Sequence, residues 1–519
     1  MIRMDERGIL MEKYIIGIDA GTSKIKSVLF DKHGAELFVS SEKVELITPR
    51  PGWVEQDMNG VWQSVMRTVK DLMERAMLPA EAVLAVAITG QADGVWLVDD
   101  KGEPVCNAIN WTDSRALDKC IQWMSDGTDR KIFEIIGSTF YPGSQIVLTS
   151  WLLENEPELL HRARWNCTCK DWIKFKFTGT MSCDESFNIF GNTRERRWDD
   201  RLMDIYGFAE VQDQFPPVRT ILENHDPLLP EIAQQLGLNA GIPVFGGPFD
   251  FVANAIGTGT LNDGDACAVI GTTTNLSFAQ NQCSYAPENV GYTLCSAGSD
   301  KWIRAFGVMA GTPNLEWTIG NLGMKYILAA QQKGIDVFDE VESCVEQIPL
   351  GSGGLIYHPY MLPGGERSPF VKPTARAQFF GLGVEHTVDH MMRAVYEGIA
   401  YSVQDCFRCR EKAPTTLRVA GGGSKSKFGC QMLADVTGVD VVTVQGHEFG
   451  ARGTAMVAAY ALGLYDSMEQ AVEQCVHERH RYVPDPEKTR KYAEYFRLYQ
   501  DIYRQVWDLW DARAALMQG

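Results

Sequence analysis

The hydrophobic and polar positions of this chain follow the same order in two distant stretches. In the first, an apolar run (14–18) stops at Asp19, turns through Gly-Thr-Ser and resumes as alternating residues from Lys24. In the second, ACAVIGTTTNLSFA (266–279), an apolar run ends in Gly-Thr-Thr-Thr and again resumes as an alternating segment. A period of two is typical of a strand with one buried face. The pattern therefore predicts two β-hairpins with Gly-Thr turns, one in each half of the chain.

Strands and helices alternate through the rest of the first half. Apolar residues at helical spacing predict a helix from Met58 to about Met77. Two continuous apolar runs that end on glycine, LAVAITG (84–90) and GIPVFGG (241–247), indicate buried strands. This alternation is typical of the α/β class.

The second half repeats this alternation. A helical pattern runs from Thr387, a suitable capping residue, to about Arg410. The strand LRVAGGG (417–423) runs into three glycines, and a helix is predicted after it from about 424 to 437. Gly438 then provides the stop signal for that helix.

An aromatic stripe at helical spacing marks the C-terminal tail. After Glu487 its members are Tyr492, Tyr495, Phe496, Tyr499, Tyr503 and Trp507. Aromatic residues at this spacing more often form a packing surface than a ligand site. The stripe therefore predicts a helix that docks on the core.

Chain length and the second hairpin indicate the domain organisation. A chain of 519 residues is too long for one ordinary hydrophobic core, so two or more domains are expected. The second hairpin begins a new unit after Gly259, which places the boundary near residues 258–262. We predict an N-terminal domain over residues 12–258 and a C-terminal domain, with the docking helix, over residues 259–519. Residues 1–11 are expected to precede the fold as an extension.

Charge and cysteine usage restrict the partners and the compartment. A formal net charge of −18 argues against a nucleic-acid or anionic-membrane surface, since either needs a basic face. No apolar run approaches the roughly 18 residues of a membrane span. Thirteen cysteines at irregular spacings, with no secretory leader, favour reduced thiols in the cytoplasm. The close pairs at 167/169 and 406/409 lack partner pairs, so free thiols are favoured over a zinc site.

The Gly-Thr hairpins are candidates for holding phosphate. Such a turn exposes backbone N–H groups, because glycine tolerates positive φ, and it adds hydroxyl donors. Asp19 would face the same opening and could hold magnesium directly or through water. A single Gly-Thr hairpin is more often an ordinary turn, but two of them, with Gly421-Gly422-Gly423 before a helix, favour a phosphate site. The glycine run is also compatible with a tight strand–helix connection.

Asp250 is the candidate for proton transfer. It follows a strand end and Gly246-Gly247, and it precedes an apolar helical run. One interpretation is a helix N-cap. The other is a general base, which phosphoryl transfer to an alcohol uses to take the hydroxyl proton.

Several motifs resemble those of the FGGY carbohydrate kinases, a family of the actin-like ATPase superfamily. The resemblance runs from Tyr14 to the C-terminus. The matching segments, in order, are GIDAGTSKIK (17–26), PGWVEQD (51–57), WTDSRA (111–116), CKDWIKFKFTGT (169–180), GGPFDFVANAIGTG (246–259), IGTTTN (270–275), GGERSP (364–369), AQFFGLGVEHTVDHMMRAVYE (377–397) and AGGGSKSKF (420–428). The resemblance implies an α/β fold of two actin-like (ribonuclease H-like) ATPase domains that face a central cleft.

The resemblance also implies how the chain uses ATP and Mg²⁺. The two hairpins would hold the ATP phosphates from both sides of the cleft, and Asp19 would be the magnesium-side carboxylate. The positions that match the family's nucleotide-binding residues are Thr22, Ser23, Lys26, Gly271, Thr272, Thr273, Gly311, Gly422, Gly423 and Ser426. Asp250 falls on the family's catalytic base.

The family's substrate positions favour a small sugar or polyol. The matching residues are Gln91, Ala92, Asp93, Trp111, Asp250 and Phe251. D-xylulose kinases usually carry Met-His where this chain has Ala92-Asp93, and glycerol kinases carry Arg-Glu. The motifs TGQADGVWLVD and CKDW are most similar to those of erythritol kinases, followed by those of L-xylulose kinases. We therefore expect a four- or five-carbon substrate, with erythritol-like polyols favoured and D- or L-xylulose as the alternative.

Two further alternatives stay open at this point. Asp93 precedes a glycine after a buried strand, so it is also compatible with a simple turn residue. The whole chain is also compatible with a non-catalytic actin-like nucleotide switch or sugar sensor, although Asp19 and Asp250 favour an enzyme. A homodimer is open as well.

Overall fold

The computed structural model describes residues 12–187, 189–362, 364–410 and 412–518, so the expected extension at residues 1–11 lies outside it. The strands of the first half, in chain order, are β1 (Tyr14–Ala20), β2 (Lys24–Phe30), β3 (Glu36–Lys43), β4 (Glu55–Gln56), β5 (Val83–Gly90), β6 (Trp96–Val98), β7 (Ala108–Ile109), β8 (Trp165–Cys167), β9 (Cys183–Asp184), β10 (Gly191–Asn192), β11 (Arg197–Trp198), β12 (Val218–Arg219), β13 (His225–Pro227) and β14 (Pro243–Gly246).

Six of these strands form the main sheet of the first half. Their order is β13-β14-β5-β1-β2-β3, and β1 pairs antiparallel with β2 and parallel with β5. The predicted hairpin of β1 and β2 is therefore present. The apolar strand β5 is buried almost throughout, as expected for a central strand with both faces covered.

The second half repeats this design. Its strands are β15 (Asp265–Ile270), β16 (Thr274–Gln280), β17 (Tyr292–Cys295), β18 (Trp302–Val308), β19 (Ile356–His358), β20 (Gln378–Phe380), β21 (Thr416–Gly421), β22 (Asp440–Val444) and β23 (Glu478–Tyr482). Seven of them form a sheet in the order β17-β18-β16-β15-β21-β22-β23. The second predicted hairpin, β15 with β16, lies in the middle of this sheet.

Helices connect the strands of both halves. They are α1 (Met58–Ala76), α2 (Leu117–Ser125), α3 (Thr128–Ile136), α4 (Gln145–Asn155), α5 (Pro157–His161), α6 (Cys169–Thr178), α7 (Asp200–Tyr206), α8 (Pro230–Leu236), α9 (Asp250–Gly257), α10 (Pro313–Leu322), α11 (Met324–Lys333), α12 (Val337–Val345), α13 (Val388–Arg408), α14 (Lys427–Thr437), α15 (Phe449–Ala461), α16 (Met468–Cys475), α17 (Pro486–Gln505) and α18 (Trp507–Gln518).

Most predicted helices are present, with small differences at their ends. Thr387 and the side chain of His390 form a capping box at the start of α13, which confirms the predicted start. The helix predicted from Ser424 begins later, at Lys427, because residues 422–425 form a short 3₁₀ turn. Within the described chain, no helix is long and apolar enough to cross a membrane.

The two halves meet through helices α9 and α15. A β-carbon at Gly257 would lie 1.9 Å from the carbonyl oxygen of Phe449, and one at Gly453 would lie 1.9 Å from that of Ala253. Glycine is required at both positions because the two backbones touch there. Helix α15 also packs against β1 and β5, so a helix of the second half lies on the sheet of the first. Sequence analysis did not anticipate this contact.

The aromatic tail docks as predicted. In α17 the rings of Tyr492, Phe496 and Tyr499 are buried, and they pack against the hydrophobic core of the second half. Tyr401 of α13 lies 5.5 Å from Tyr499, measured between ring centroids. Helix α18 continues this docked segment, and Trp510 is buried in the same core.

Candidate active site

The first hairpin places two opposite charges side by side. Asp19 lies opposite Lys26 in the register of β1 and β2, and part of its surface stays open between the two halves. Burial raises the pKa of Asp19 to about 6; the charge of Lys26 opposes this rise and that of Glu448 adds to it. A cation close to Asp19 would stabilise its ionised form and lower this pKa.

Lys26 forms an ion pair across the two halves of the molecule. Its ammonium lies 2.6 Å from a carboxylate oxygen of Glu448, which immediately precedes α15. Burial alone would lower the pKa of Lys26, but the hydrogen bond and the charge of Glu448 raise it. Glu36 supports Glu448 by accepting hydrogen bonds from the N–H groups of His447 and Glu448, at 2.7 and 2.8 Å. A phosphate contact by Lys26 would compete with this pair.

The second hairpin leaves room for a ligand at its turn. A β-carbon added to Gly271 would meet no atom within 4 Å. Thr272 is exposed and Thr273 is partly exposed, and no group of the described chain accepts a hydrogen bond from either backbone N–H. The first hairpin resembles it, because the N–H groups of Thr22 and Ser23 also find no acceptor in the described residues. Free N–H groups at a glycine turn are suitable donors for phosphate oxygens.

Gly311 supports this second turn from behind. A β-carbon there would lie 2.4 Å from the carbonyl oxygen of Gly271 and 2.5 Å from that of Thr272. The neighbouring Thr312 donates both its N–H and its hydroxyl to the carbonyl of Gly271, at 2.8 and 3.1 Å. Gly311 was predicted to contact the nucleotide, and its observed contacts are with the hairpin itself.

The glycine run and Ser426 also have structural roles. A β-carbon at Gly423 would lie 2.7 Å from the side chain of Ile270, at the end of β15, whereas one at Gly422 would stay clear of close contacts. The hydroxyl of Ser426 accepts a hydrogen bond from the N–H of Gly429 and so caps α14. Close packing explains Gly423 and capping explains Ser426, and the backbone at Gly422 remains open.

A buried network of amide side chains joins the first hairpin to the predicted substrate loop. Gln91 accepts hydrogen bonds from Asn110 and from the hydroxyl of Thr22, and it donates to Gln56. The indole N–H of Trp111 donates to the hydroxyl of Thr22 at 2.7 Å. The polar atoms of these side chains form hydrogen bonds with one another. Gln91 and Trp111 were predicted to bind substrate, and here the same atoms hold the loop and the hairpin in place.

Ala92 and Phe251 differ in their surroundings. Ala92 is buried in a hydrophobic cluster with Phe249 and Val252, so its methyl group faces the core and only its backbone is available to a ligand. Phe251 is partly exposed, and its ring lies 6.1 Å from that of Tyr292, measured between centroids.

Asp93 is buried and engaged on both oxygens. Its carboxylate accepts a hydrogen bond from the hydroxyl of Tyr141 at 2.6 Å and one from the N–H of Gln145 at 3.1 Å. Burial raises the pKa of Asp93 to about 6, and these two hydrogen bonds oppose the rise. Asp93 is therefore more than an exposed turn residue, and a substrate hydroxyl would have to use its remaining lone pairs.

Asp250 lies at the first position of α9 and does not cap it. The helix N-cap is Phe249, and no side chain caps that end. Oxygen Oδ1 of Asp250 is buried and finds no hydrogen-bond partner in the described chain. Burial raises the pKa of Asp250 to about 8, and the nearby charges of Asp19 and Asp93 add to the rise. Three carboxylates thus converge from β1, from the loop after β5 and from α9.

These carboxylates fit a magnesium ion only in part. Among the described residues, no group of three or more histidine, cysteine, aspartate or glutamate side chains is positioned to hold a metal. Magnesium usually keeps several waters and takes one or two carboxylates together with phosphate oxygens. Asp19 fits this kind of ligand, since it is a partly exposed carboxylate beside a turn whose N–H groups at Thr22 and Ser23 find no acceptor in the described residues.

Sequence analysis missed several residues that the structure brings to this region. Tyr141, Gln145 and Asn110 complete the two hydrogen-bond networks described above, and Glu448 pairs with Lys26. Gln56 belongs to the motif PGWVEQD, which matched the family in sequence but whose residues were assigned no role. The partners are far apart in sequence, so no local pattern reports their contact.

Comparisons with known proteins match both halves of the chain to one family. The N-terminal domain model of the FGGY family of carbohydrate kinases matches residues 14–257, and the family's C-terminal domain model matches residues 266–462. Erythritol kinase of Brucella abortus (strain 2308) is 30% identical over 524 residues, which cover 99% of this chain and 100% of that protein. L-xylulose/3-keto-L-gulonate kinase of Escherichia coli (strain K12) is 29% identical over 502 residues, covering 95% and 97%.

Solved structures show the same fold. Ligand-bound xylulose kinase from Lactobacillus acidophilus superposes with a TM-score of 0.86 at 24% identity, covering 95% of this chain and 98% of that one. Glycerol kinase from Plasmodium falciparum with ADP superposes with a TM-score of 0.82 at 19% identity and the same coverage. The predicted fold, two actin-like domains that face a cleft, is confirmed. The chain belongs to the FGGY family of carbohydrate kinases, and it is an ATP-dependent sugar or polyol kinase.

Proposed function

We propose that the enzyme transfers a phosphoryl group from ATP to a hydroxyl of a four- or five-carbon polyol, with an erythritol-like tetritol favoured. The observation that carries this proposal is the group of three carboxylates, Asp19, Asp93 and Asp250. Oxygen Oδ1 of Asp250 is buried and has no hydrogen-bond partner among the described residues. Erythritol kinase is also among the proteins most similar to this chain over their full lengths.

Asp250 is the proposed general base. An unpartnered buried oxygen is free to accept the proton of a substrate hydroxyl. A raised pKa of about 8 places the group near neutral pH, where proton transfer by a side chain is most effective. The nearby Asp19 and Asp93 raise the proton affinity of Asp250 further, because like charges disfavour its ionised form.

The nucleotide is proposed to bind between the two hairpins. When bound, Mg²⁺-ATP supplies the phosphoryl group and a positive charge that compensates the developing negative charge. The free N–H groups of the two turns would orient its phosphates, and Asp19 would hold the metal. We assign the sugar and the base to residues 12–258 and the nucleotide mainly to residues 259–519.

Asp93 supports a polyol over a ketose. A carboxylate accepts hydrogen bonds and donates none, so it suits vicinal hydroxyls, which are all donors. A ketose carbonyl would prefer a donor from the protein. D- and L-xylulose remain the alternative acceptors, in agreement with the L-xylulose kinase relative. A cytoplasmic enzyme is also proposed, since all thirteen cysteines are free.

A coupled assay of ADP release tests the proposal. Purified enzyme is supplied with Mg²⁺-ATP and, in turn, with glycerol, erythritol, the pentitols and the four ketopentoses. We expect the highest kcat/KM with a tetritol or pentitol. A highest value with D-xylulose would favour the alternative, and the absence of acceptor-dependent ADP release with every compound would favour the non-catalytic switch or sensor.

A further inference from the structure

Arg367 carries a positive charge over Tyr141 and forms no ion pair with the described residues. It belongs to the motif GGERSP (364–369) in the second half, yet its guanidinium lies 5.3 Å from the ring centroid of Tyr141 in the first half. In the described chain, no group accepts a hydrogen bond from this guanidinium and no carboxylate pairs with it. It is partly exposed.

The backbone around Arg367 is fixed in place by Glu366. One oxygen of this buried carboxylate accepts hydrogen bonds from the N–H groups of Met309, Arg367 and Ser368, at 2.9, 2.8 and 3.3 Å. Glu366 and Lys372 also exchange two backbone hydrogen bonds. These hydrogen bonds fix the backbone at Arg367, while its guanidinium contacts the ring of Tyr141 and makes no hydrogen bond with the described residues.

The C-terminal helices hold the same segment from outside. Asp511 of α18 accepts hydrogen bonds from Lys372 and Thr374, both at 2.6 Å. The ring of Phe370 packs between Tyr503 and Trp507, with centroid distances of 4.9 and 5.1 Å. The docked tail thus supports the segment that presents Arg367, which gives this tail a role beyond covering the core.

The same segment is linked to the nucleotide hairpin. Met309, which Glu366 binds, follows strand β18, and this strand pairs with β16 of the second hairpin. The hydroxyl of Thr274 in β16 donates to the carbonyl of Ala310 at 2.7 Å. Arg367 is therefore built on the unit that carries the second phosphate turn, although its charge lies over Tyr141 of the other unit.

The ring beneath Arg367 belongs to the proposed acceptor pocket. Tyr141 donates its hydroxyl to Asp93, and the ring of Trp111 meets it edge-on at 6.2 Å between centroids. The positive charge of Arg367 opposes the rise that burial causes in the pKa of Tyr141 and of Tyr292, so it lies near both hydroxyls on the Asp93 side of this pocket. A guanidinium offers only donors, so a group that binds there has to present oxygen lone pairs.

We propose that Arg367 is a substrate-positioning residue that donates hydrogen bonds to a non-reacting oxygen of the acceptor, beside Tyr141. The inference rests on the proposed function, and it deepens it by adding a contact from the nucleotide-binding unit. Arg367 and Asp93 lie on different units. The acceptor can therefore form hydrogen bonds with both residues only when the two units are close together. The enzyme thereby couples acceptor recognition to the assembled cleft.

The test compares Arg367→Met with the wild type on the acceptor that has the highest kcat/KM. Loss of one charge-assisted hydrogen bond predicts about a 10–100-fold fall in kcat/KM for the acceptor, with the KM for ATP unchanged within about twofold. Arg367→Lys should recover part of the loss, because it keeps a donor and a charge. Arg376→Met is the matched control: this arginine lies in the same segment but donates to the carbonyls of Pro373 and Ala375.

A deoxygenated acceptor separates substrate contact from a structural effect. The probe is the same acceptor without the oxygen at the end remote from the phosphorylated carbon. We expect the wild type to lose about the same factor with this probe as it loses by Arg367→Met, and the variant to lose no more than about twofold further. An equal loss in wild type and variant would overturn the inference, as would a variant whose KM rises for ATP and not for the acceptor.

The two proposals fail in different ways. A wild-type enzyme that phosphorylates no sugar or polyol would overturn both of them together. An active wild type with an unaffected Arg367→Met variant would overturn only the role of Arg367.

Discussion

Replacement of Asp250 by asparagine keeps the size of the side chain and removes its ability to take a proton. General-base assistance contributes about 10²–10⁴-fold to the rate of a reaction that needs it. We therefore expect kcat of Asp250→Asn to fall by at least about 100-fold with saturating acceptor. ATP affinity should change little, because the nucleotide is proposed to bind at the two hairpins.

The same substitution should change how stability depends on pH. Burial raises the pKa of Asp250 from 3.8 to about 8, so the folded protein binds this proton more tightly than the unfolded chain does. The stabilising contribution is complete below about pH 4 and is lost as the pH rises towards 8. Ionisation in the folded state then costs up to about 6 kcal/mol, the equivalent of a shift of about four pKa units. Asparagine carries no such cost.

Steady-state rates, calorimetric titration with ATP and urea unfolding between pH 5 and 9 measure these effects. The free energy of unfolding of Asp250→Asn should exceed that of the wild type by an amount that grows with pH. Asp100→Asn, at an exposed carboxylate, is the control and should alter neither quantity. A variant that kept more than a tenth of the wild-type kcat would refute the general-base role. A stability difference that stayed constant with pH would refute the argument from burial.

The remaining predictions concern the acceptor, the cleft and the second hairpin. Asp93→Ala should raise the KM for the best alditol at least about tenfold, because the acceptor loses a hydrogen bond and Tyr141 loses its partner. An unchanged KM in the kinetic assay would show that Asp93 has only a structural role. Small-angle scattering should show a smaller radius of gyration when nucleotide and acceptor are both bound than in the free enzyme, since both hairpins are proposed to contact one ATP; an unchanged radius at verified occupancy would contradict closure. Gly311→Ala should raise the KM for ATP about tenfold or more, because its β-carbon would lie 2.4 Å from the carbonyl oxygen of Gly271. Gly320→Ala is the kinetic control, since its β-carbon meets nothing within 4 Å. Equal effects of the two substitutions on the KM for ATP would refute the packing argument.

Local physical rules were sufficient for much of the fold. A period of two around a Gly-Thr turn predicted both hairpins, because side chains of a strand alternate between its faces. Helical spacing with a capping threonine predicted the start of α13 at Thr387. The motifs around the two hairpins and Asp250 also resembled those of the family that both domain models match. Each of these features is encoded by neighbouring residues.

The contacts between residues far apart in the chain came only from the tertiary structure. Lys26 and Glu448 are separated by 422 positions, and Asp93 and Tyr141 by 48. Lysine, aspartate and tyrosine side chains are compatible with many partners, so their sequence does not specify which one they meet. Nothing in the sequence marks Gly257 and Gly453 as special. The structure shows that the backbones of two helices touch at these positions, where a side chain would not fit. Arg367 matched a family motif, but only the fold brings its guanidinium over Tyr141 on the opposite unit. The sequence by itself determined the elements and the family, whereas long-range packing decided which polar groups share the cleft, because a contact between distant residues depends on the path of the whole chain between them.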